Sequence, residues 1–509
     1  MSDPFKLSSR ADYLLSTPAH PYQWNHIKAT FNQYEPENNP DGELPLAIAE
    51  NKLCNDILMP RLKQAASSTM NEDCLSYTNG TGAPDLKNAL SGFLSKFIFT
   101  NKSDPNPFVI DDEDLVVSGG CTALLYKLSI LLFEPGDSVL IPIPYYSAFG
   151  RDFANIGSVH VHPIVPPTPW AGPGSGAITR DTLNLAYTRA EAAGHPPKAV
   201  LISNPHNPLG VIYSAAQLQL LLDWTRERGL HFVVDEIYAL SVFSQGEKPE
   251  SDAATSVSGD ISQGTKPESD AATSASGATA TGPTEFTSIV SMLDNKLPGH
   301  VHVLWGLSKD FGGSGLRLGV LYSQNRRLLS ALGAIDAFQV SRALQMMVAD
   351  VLRDHVFCAQ FIKENATRIK RSHDVLMVGL AAVGISVVGP PVGTTFVFAD
   401  FRPFIFRWQR HRMGVTAAAD TEADALVVSE ELELAFYNDV LCERLRLLLT
   451  PSDPCHLQTE IDPASTSSRS ADKETMRVFG YYRICYTWVP LSGVSECCKR
   501  LLDEFNSYE

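Results

Sequence analysis

The 509-residue chain is 44% apolar and carries a formal net charge of −16. That much apolar sequence can bury one or two large cores, while so acidic a balance argues against nucleic acid as a main partner, because phosphate binding needs a basic face. No run of about 18 apolar residues occurs, so no membrane span is expected, and nine cysteines without a C-x-x-C pair fit free thiols in a reducing compartment.

The first ten residues, MSDPFKLSSR, lack the apolar stretch of a secretory leader, which predicts a cytoplasmic chain. DLVVSGG (114–120) reads as a strand and turn, and TALLYKLSILLF (122–133) as the helix after it. DSVLIPIP (137–144), KAVLISNP (198–205), HFVVDEIY (231–238) and VHVLWGLSK (301–309) read as further buried strands. AAQLQLLLDWTRER (215–228) is an amphipathic helix closed by Gly229. Short apolar runs alternating with helices predict βαβ units, hence an α/β domain with a mostly parallel sheet and helices on both faces, placed at 76–340. From 341 the chain turns helical, and ISVVGPPVGTTFVFADF (385–401) suggests a hairpin or small sheet. That predicts a smaller α+β domain over 341–509, to which residues 1–75 contribute. Three stretches look foreign to a packed core. In 244–284, KPESDAATSVSG (248–259) returns as KPESDAATSASG (266–277), a Ser/Ala/Thr-rich repeat expected to be a disordered surface insertion. Residues 411–429 and 457–477 read as loop insertions.

In a parallel α/β sheet, ligands bind beyond the carboxyl ends of the strands, so the residues just after each strand are the candidates. Gly119-Gly120-Cys121-Thr122 leads into a helix, and a glycine-rich turn there offers N–H groups to a phosphate. PYYSAF (144–149), NPHNPLG (204–210), DEIY (235–238) and GLSKDFGGSGLRLG (306–319) come after the other strands. Asp235, at a buried strand end, is costly to ionise without a cation beside it, and a protonated pyridine nitrogen would be one. Tyr238 and Asn207 suit a phenolate oxygen, and Tyr146 suits the face of a ring. Thr122, Ser308 and Arg317 suit a phosphate, Arg317 with two prongs. Lys309, buried near other cations, would have a lowered pKa and serve as an imine-forming nucleophile and proton carrier. No metal is called for.

In this order, NPHNPLG, DEIY and SKDFGGSGLRLG resemble the pyridoxal-phosphate (PLP) enzymes of the class I/II aminotransferase superfamily, fold type I. LAIAENKLCNDIL (46–58), PYYSAFGRDF (144–153) and SNPHNPLGVIYS (203–214) are similar to 1-aminocyclopropane-1-carboxylate (ACC) synthases and their fungal relatives. The similarity runs from about residue 46 to about 500 and misses only the three insertions. It implies a seven-stranded sheet, PLP as cofactor, an amino-acid substrate and a homodimer with shared active sites. Lys309 would bond the cofactor and move the Cα proton, Asp235 would pair with the ring nitrogen, and Tyr238 and Asn207 would bind the ring oxygen. Tyr146 would stack on the ring, while Gly120, Cys121, Thr122, Ser308 and Arg317 would bind the phosphate. Arg483 in GYYRICY would clamp the substrate α-carboxylate, and Glu50 in AEN would stand near its amino or sulfonium group. Tyr77 in SYTNGTG would reach the neighbouring subunit's cofactor. Asp235 and Lys309 are further apart than the family's usual gap, and removing 244–284 restores it.

The chain departs from plant ACC synthases where they read Tyr-His-Gly-Leu-Pro and it has Gly80-Thr81-Gly82-Ala83-Pro84. It also has Gly306 for the first serine of Ser-x-Ser-Lys and Ser147 for a proline. None of these touches the lysine chemistry, but all bear on the fate of the substrate once its Cα proton has left: transamination, carbon–sulfur lysis or ring closure to ACC. The altered motif favours an ACC-synthase-like aminotransferase or carbon–sulfur lyase, with specialised-metabolite biosynthesis as a suggested setting. A true ACC synthase and a non-catalytic scaffold of the same fold are the alternatives.

Overall fold

The computed structural model describes residues 7–16, 21–100, 108–166, 178–243, 285–294, 296–335, 338–389, 391–414, 427–452, 458–460 and 475–508. The repeat stretch 244–284 lies outside them, as do most of 411–429 and 457–477.

Seven strands form the main sheet: β1 (Leu115–Ser118), β2 (Ser138–Pro142), β3 (His160–Ile164), β4 (Pro197–Ser203), β5 (His231–Asp235), β6 (Val301–Gly306) and β7 (Gly319–Tyr322). Their order is β1-β7-β6-β5-β4-β2-β3, and all are parallel except β7, which runs against β1 and β6. The expected α/β class with a mostly parallel seven-stranded sheet is what forms.

Side chains alternate across a strand, and here both faces are apolar. Val139, Leu201 and Val233 enter one core, whereas their neighbours Leu140, Val200, Phe232 and Val234 enter the other. That is why these strands read as unbroken Val/Ile/Leu runs. Each such side chain, fully buried, contributes roughly 1.5–3 kcal/mol of transfer free energy. The helix Ala215–Arg228 begins at a reciprocal cap: Ser214 accepts from Gln217 N–H, while the Gln217 side chain reaches back to the Ser214 backbone.

A second, antiparallel sheet joins Thr450–Pro451, Tyr481–Cys485, Phe396–Asp400 and Ser386–Val387 in that order. The helices His355–Ala382 and Leu491–Asn506 pack on each other. One core is shared by the two sheets, with Val233 and Leu201 of the first and Phe396 and Tyr482 of the second in a single cluster.

Register sets the site. Ser203 pairs with Asp235 and Asp235 with Leu304, so β4, β5 and β6 end side by side. In the second sheet, Arg483 lies in a central position, opposite Phe398 on one side and Thr450 on the other.

Candidate active site

A cavity of about 400 Å³ opens beyond the carboxyl ends of the main strands. That is within the usual size for a small-molecule site. Cys121, Thr122, Tyr146, Asn207, Asp235, Tyr238, Ser308, Lys309, Arg317 and Arg483 all line it. Ten residues chosen from six separate motifs therefore converge on one space.

Lys309 sits on the one-turn helix Leu307–Asp310 directly after β6. Its Nζ donates to the Ala49 carbonyl at 2.5 Å. Burial, and then the Arg483 cation, pull its pKa below the ordinary lysine value, against the smaller opposing pull of Cys485, Glu50 and Asp235. Asp235 ends β5, is 6% exposed, and its carboxyl accepts only from Ile237 N–H at 3.2 Å among the described residues. Burial pushes its carboxyl up to about 7. Lys309 pulls the other way, but Asp235 makes no ion pair among the described residues. The Tyr238 hydroxyl is buried without a hydrogen-bond partner among the described residues, and burial holds it well above the usual phenol value.

Gly120 caps the helix Cys121–Leu131 with φ of 100° and supplies no side-chain cap, which leaves the helix N–H groups for an anion. A Cβ at Gly120 would lie 2.7 Å from Arg317 Nη2. Arg317 is exposed, and its Nη1 donates to Ser314 O at 2.8 Å. Cys121 is buried and donates to Trp305 O at 3.4 Å, its thiol pushed well up by burial. Tyr146 stands edge-on to Phe149, with ring centroids 5.3 Å apart.

Arg483 comes from the second sheet and is 3% exposed. Its Nη1 donates to Asn207 Oδ1 at 3.0 Å and its Nη2 to Ala47 O at 2.7 Å, while Nε has no partner among the described residues. Besides Gly120, two candidates lie off the cavity wall. Glu50 accepts from Ser314 Oγ at 2.8 Å and is turned toward the lysine-bearing loop. Tyr77 is 85% exposed and packs on Phe338, with centroids 4.7 Å apart.

Several lining residues were not singled out from the sequence. Tyr22, whose hydroxyl lies 3.3 Å from Ser147 Oγ, comes from the helix Pro21–Ala29. Asp152 is a 2% exposed acid whose Oδ2 has no partner among the described residues, with a pKa raised to about 7 by burial. It lies one helical turn beyond Phe149, so helical spacing past PYYSAF was the available signal.

The profile of aminotransferase class I and II matches residues 42–461, most of the chain. The chain belongs to the class I and II aminotransferases. Among curated relatives, it is 29% identical over 383 residues to 1-aminocyclopropane-1-carboxylate synthase 6 of Arabidopsis thaliana, covering 73% of this chain and 68% of that protein. It is 30% identical over 350 residues to the mouse protein named "Probable inactive 1-aminocyclopropane-1-carboxylate synthase-like protein 2", covering 68% of this chain and 53% of that one. The chain thus spans about half the length of the mouse relative. Among solved structures, the aspartate aminotransferase from Rhizobium meliloti superposes with a TM-score of 0.66 at 19% identity, covering 99% of each chain. This aminotransferase-family chain therefore has the aspartate aminotransferase fold and kinship with ACC synthases.

The family implies PLP, and the cavity fits it. Among the described residues a buried acid makes no ion pair and a buried phenol has no hydrogen-bond partner, and a side-chain-free helix start faces an arginine.

Proposed function

We propose that the chain is a PLP-dependent enzyme acting at the Cα of an α-amino acid, as an ACC-synthase-like aminotransferase or carbon–sulfur lyase. One observation carries this: Lys309, with its lowered pKa, shares a single cavity with Asp235 and Arg483.

When bound, PLP supplies an electron sink that makes the Cα proton removable. The chain's own residues do the rest. Asp235 would hold the ring nitrogen in its protonated form. Tyr238 and Asn207 bind the ring oxygen, and Tyr146 fixes the plane of the ring. Gly120, Cys121, Thr122, Ser308 and Arg317 hold the phosphate. Arg483 binds the substrate carboxylate, orienting the Cα–H toward Lys309, whose Nζ accepts the proton and returns it. Glu50 stands near the substrate's amino end. Tyr77, exposed and outside the lining of its own cavity, serves the site of a second copy in a homodimer. The setting we propose is cytoplasmic, with specialised-metabolite biosynthesis as the role.

The kinship with an Arabidopsis ACC synthase supports a second reading, S-adenosylmethionine conversion to ACC.

The purified chain, given PLP, is expected to gain absorption near the visible edge, and borohydride should fix the cofactor on Lys309. Lys309→Ala should lose turnover while still binding PLP non-covalently. A chain that stays colourless sinks the reading and leaves a scaffold. Product analysis with S-adenosylmethionine, a cysteine S-conjugate and an amino-acid/2-oxoacid pair separates the branches; ACC from the first overturns the preferred one.

A further inference from the structure

Three segments that carry site residues or flank them meet at one buried amide. Asn365 lies within the helix His355–Ala382 and is fully buried. Its Nδ2 donates to the backbone oxygen of Asp310 at 3.1 Å, and its Oδ1 accepts from Asn51 Nδ2 at 2.7 Å and from Cys54 Sγ at 3.7 Å. Asp310 comes directly after Lys309. The Asp310 carboxyl accepts from Leu240 N–H at 3.1 Å, Ser241 Oγ at 2.7 Å and Trp305 Nε1 at 2.9 Å. Ser241 N–H in turn donates to Tyr238 O at 2.9 Å. Asn51 is next to Glu50 and two residues from Ala49, the carbonyl that receives Lys309 Nζ.

Close packing reaches the same conclusion independently. Gly312, at φ 64°, sits against the Asn51 carbonyl, into which any Cβ would run. The lysine-bearing loop therefore rests directly on the substrate-side segment. One turn along the same helix, Arg368 grips that segment again, donating to Leu53 O at 2.6 Å and Asp56 Oδ1 at 2.7 Å.

We propose that Asn365 is a positioning residue for Lys309, locking the lysine turn 307–312, the segment 49–54 and the helix His355–Ala382 into one rigid body. Its amide joins Asp310 to Asn51, so the distance from Lys309 Nζ to the Ala49 carbonyl is set by a helix side chain that never touches the cavity. Reactions at an amine held this way depend on placement within a fraction of an ångström.

The link to cofactor capture rests on the proposed PLP chemistry; the coupling between segments does not. Hydrogen exchange is measured on the full-length chain without PLP, for wild type, Asn365→Ala, Asn51→Ala and Arg368→Ala. Asn365→Ala should speed exchange about tenfold in both 46–54 and 307–316, although neither adjoins residue 365 in sequence. Asn51→Ala should do the same and carries the test alone if Asn365→Ala does not fold. Arg368→Ala should loosen 51–56 and leave 307–316 unchanged. With PLP added, the rate at which near-visible absorption develops should fall about tenfold in each Asn variant, and the double variant should be no slower than either by more than about threefold. Unaltered exchange at 307–316 in the Asn variants, equal loosening there in Arg368→Ala, or additive effects in the double variant overturns the proposal. A wild-type chain that takes up no PLP defeats the functional reading and leaves the exchange result to decide the coupling.

Discussion

Tyr238 illustrates how a single side chain is left waiting. Its hydroxyl is sealed from water and bonded to nothing among the described residues, which costs about 1–3 kcal/mol in a folded chain. Its ring is needed for packing, edge-on to Phe396 with centroids 5.4 Å apart. Tyr238→Phe removes the unpaired oxygen and keeps the ring. The cofactor-free variant should therefore unfold at a higher denaturant midpoint than wild type, while its affinity for PLP falls about tenfold. A lower midpoint would mean the hydroxyl has a partner in the cofactor-free chain. The residue types at strand ends were legible in sequence because a buried Asp, Lys or Tyr in glycine- and proline-rich surroundings is expensive unless used. The pairings were not. That Arg483 donates to Asn207, or that a backbone carbonyl at Ala49 receives Lys309, depends on two sheets meeting, which local patterns do not encode.

At the scale of elements, the strong apolar runs became β1, β2, β4, β5 and β6, because strands buried on both faces leave an unmistakable Val/Ile/Leu signature. β3 was harder to read, since HVHPI is an edge strand, partly exposed and carrying a proline; β7 is four residues long and runs against its neighbours. The turn from β1 into the helix Cys121–Leu131 is the element on which the phosphate reading depends. Gly120 at φ 100° approaches both Arg317 and β7, where a Cβ on Gly319 would lie 2.5 Å from the Gly120 carbonyl carbon. Gly120→Ala places a methyl in a conformation that L-residues rarely adopt and within 2.7 Å of Arg317 Nη2. Both anion ligands, the helix start and the guanidinium, are displaced together. The dissociation constant for PLP should rise at least tenfold, read by titrating the absorption change; a value within twofold of wild type would remove the phosphate from this turn.

In the whole molecule, the cavity lies where two sheets share a core, and buried acids in and beside it couple folding to pH. Asp152 and Asp235 line it, Glu236 and Asp310 lie next to the two key residues, and all four are buried. Burial raises Asp152, Asp235 and Asp310 to about 7 and Glu236 to about 8, each far above its unfolded value. A group whose folded pKa is raised holds its proton more tightly when folded, so its contribution is complete below the unfolded pKa and is lost as pH rises through the folded one. Between pH 5 and 7, each acid still protonated in the fold and ionised in the unfolded chain lowers stability by about 1.4 kcal/mol per pH unit. The cofactor-free chain should therefore lose stability steadily from pH 5 to 7 and level off above about 8. A ring cation over Asp235 favours its ionised form and removes that carboxylate from the sum. Urea unfolding at several pH values, with and without PLP, tests this: the slope should be shallower with PLP by up to one group's share. Equal slopes would mean that the ring nitrogen does not meet Asp235, whereas stability rising with pH in the cofactor-free chain would mean that these acids are ionised in the fold.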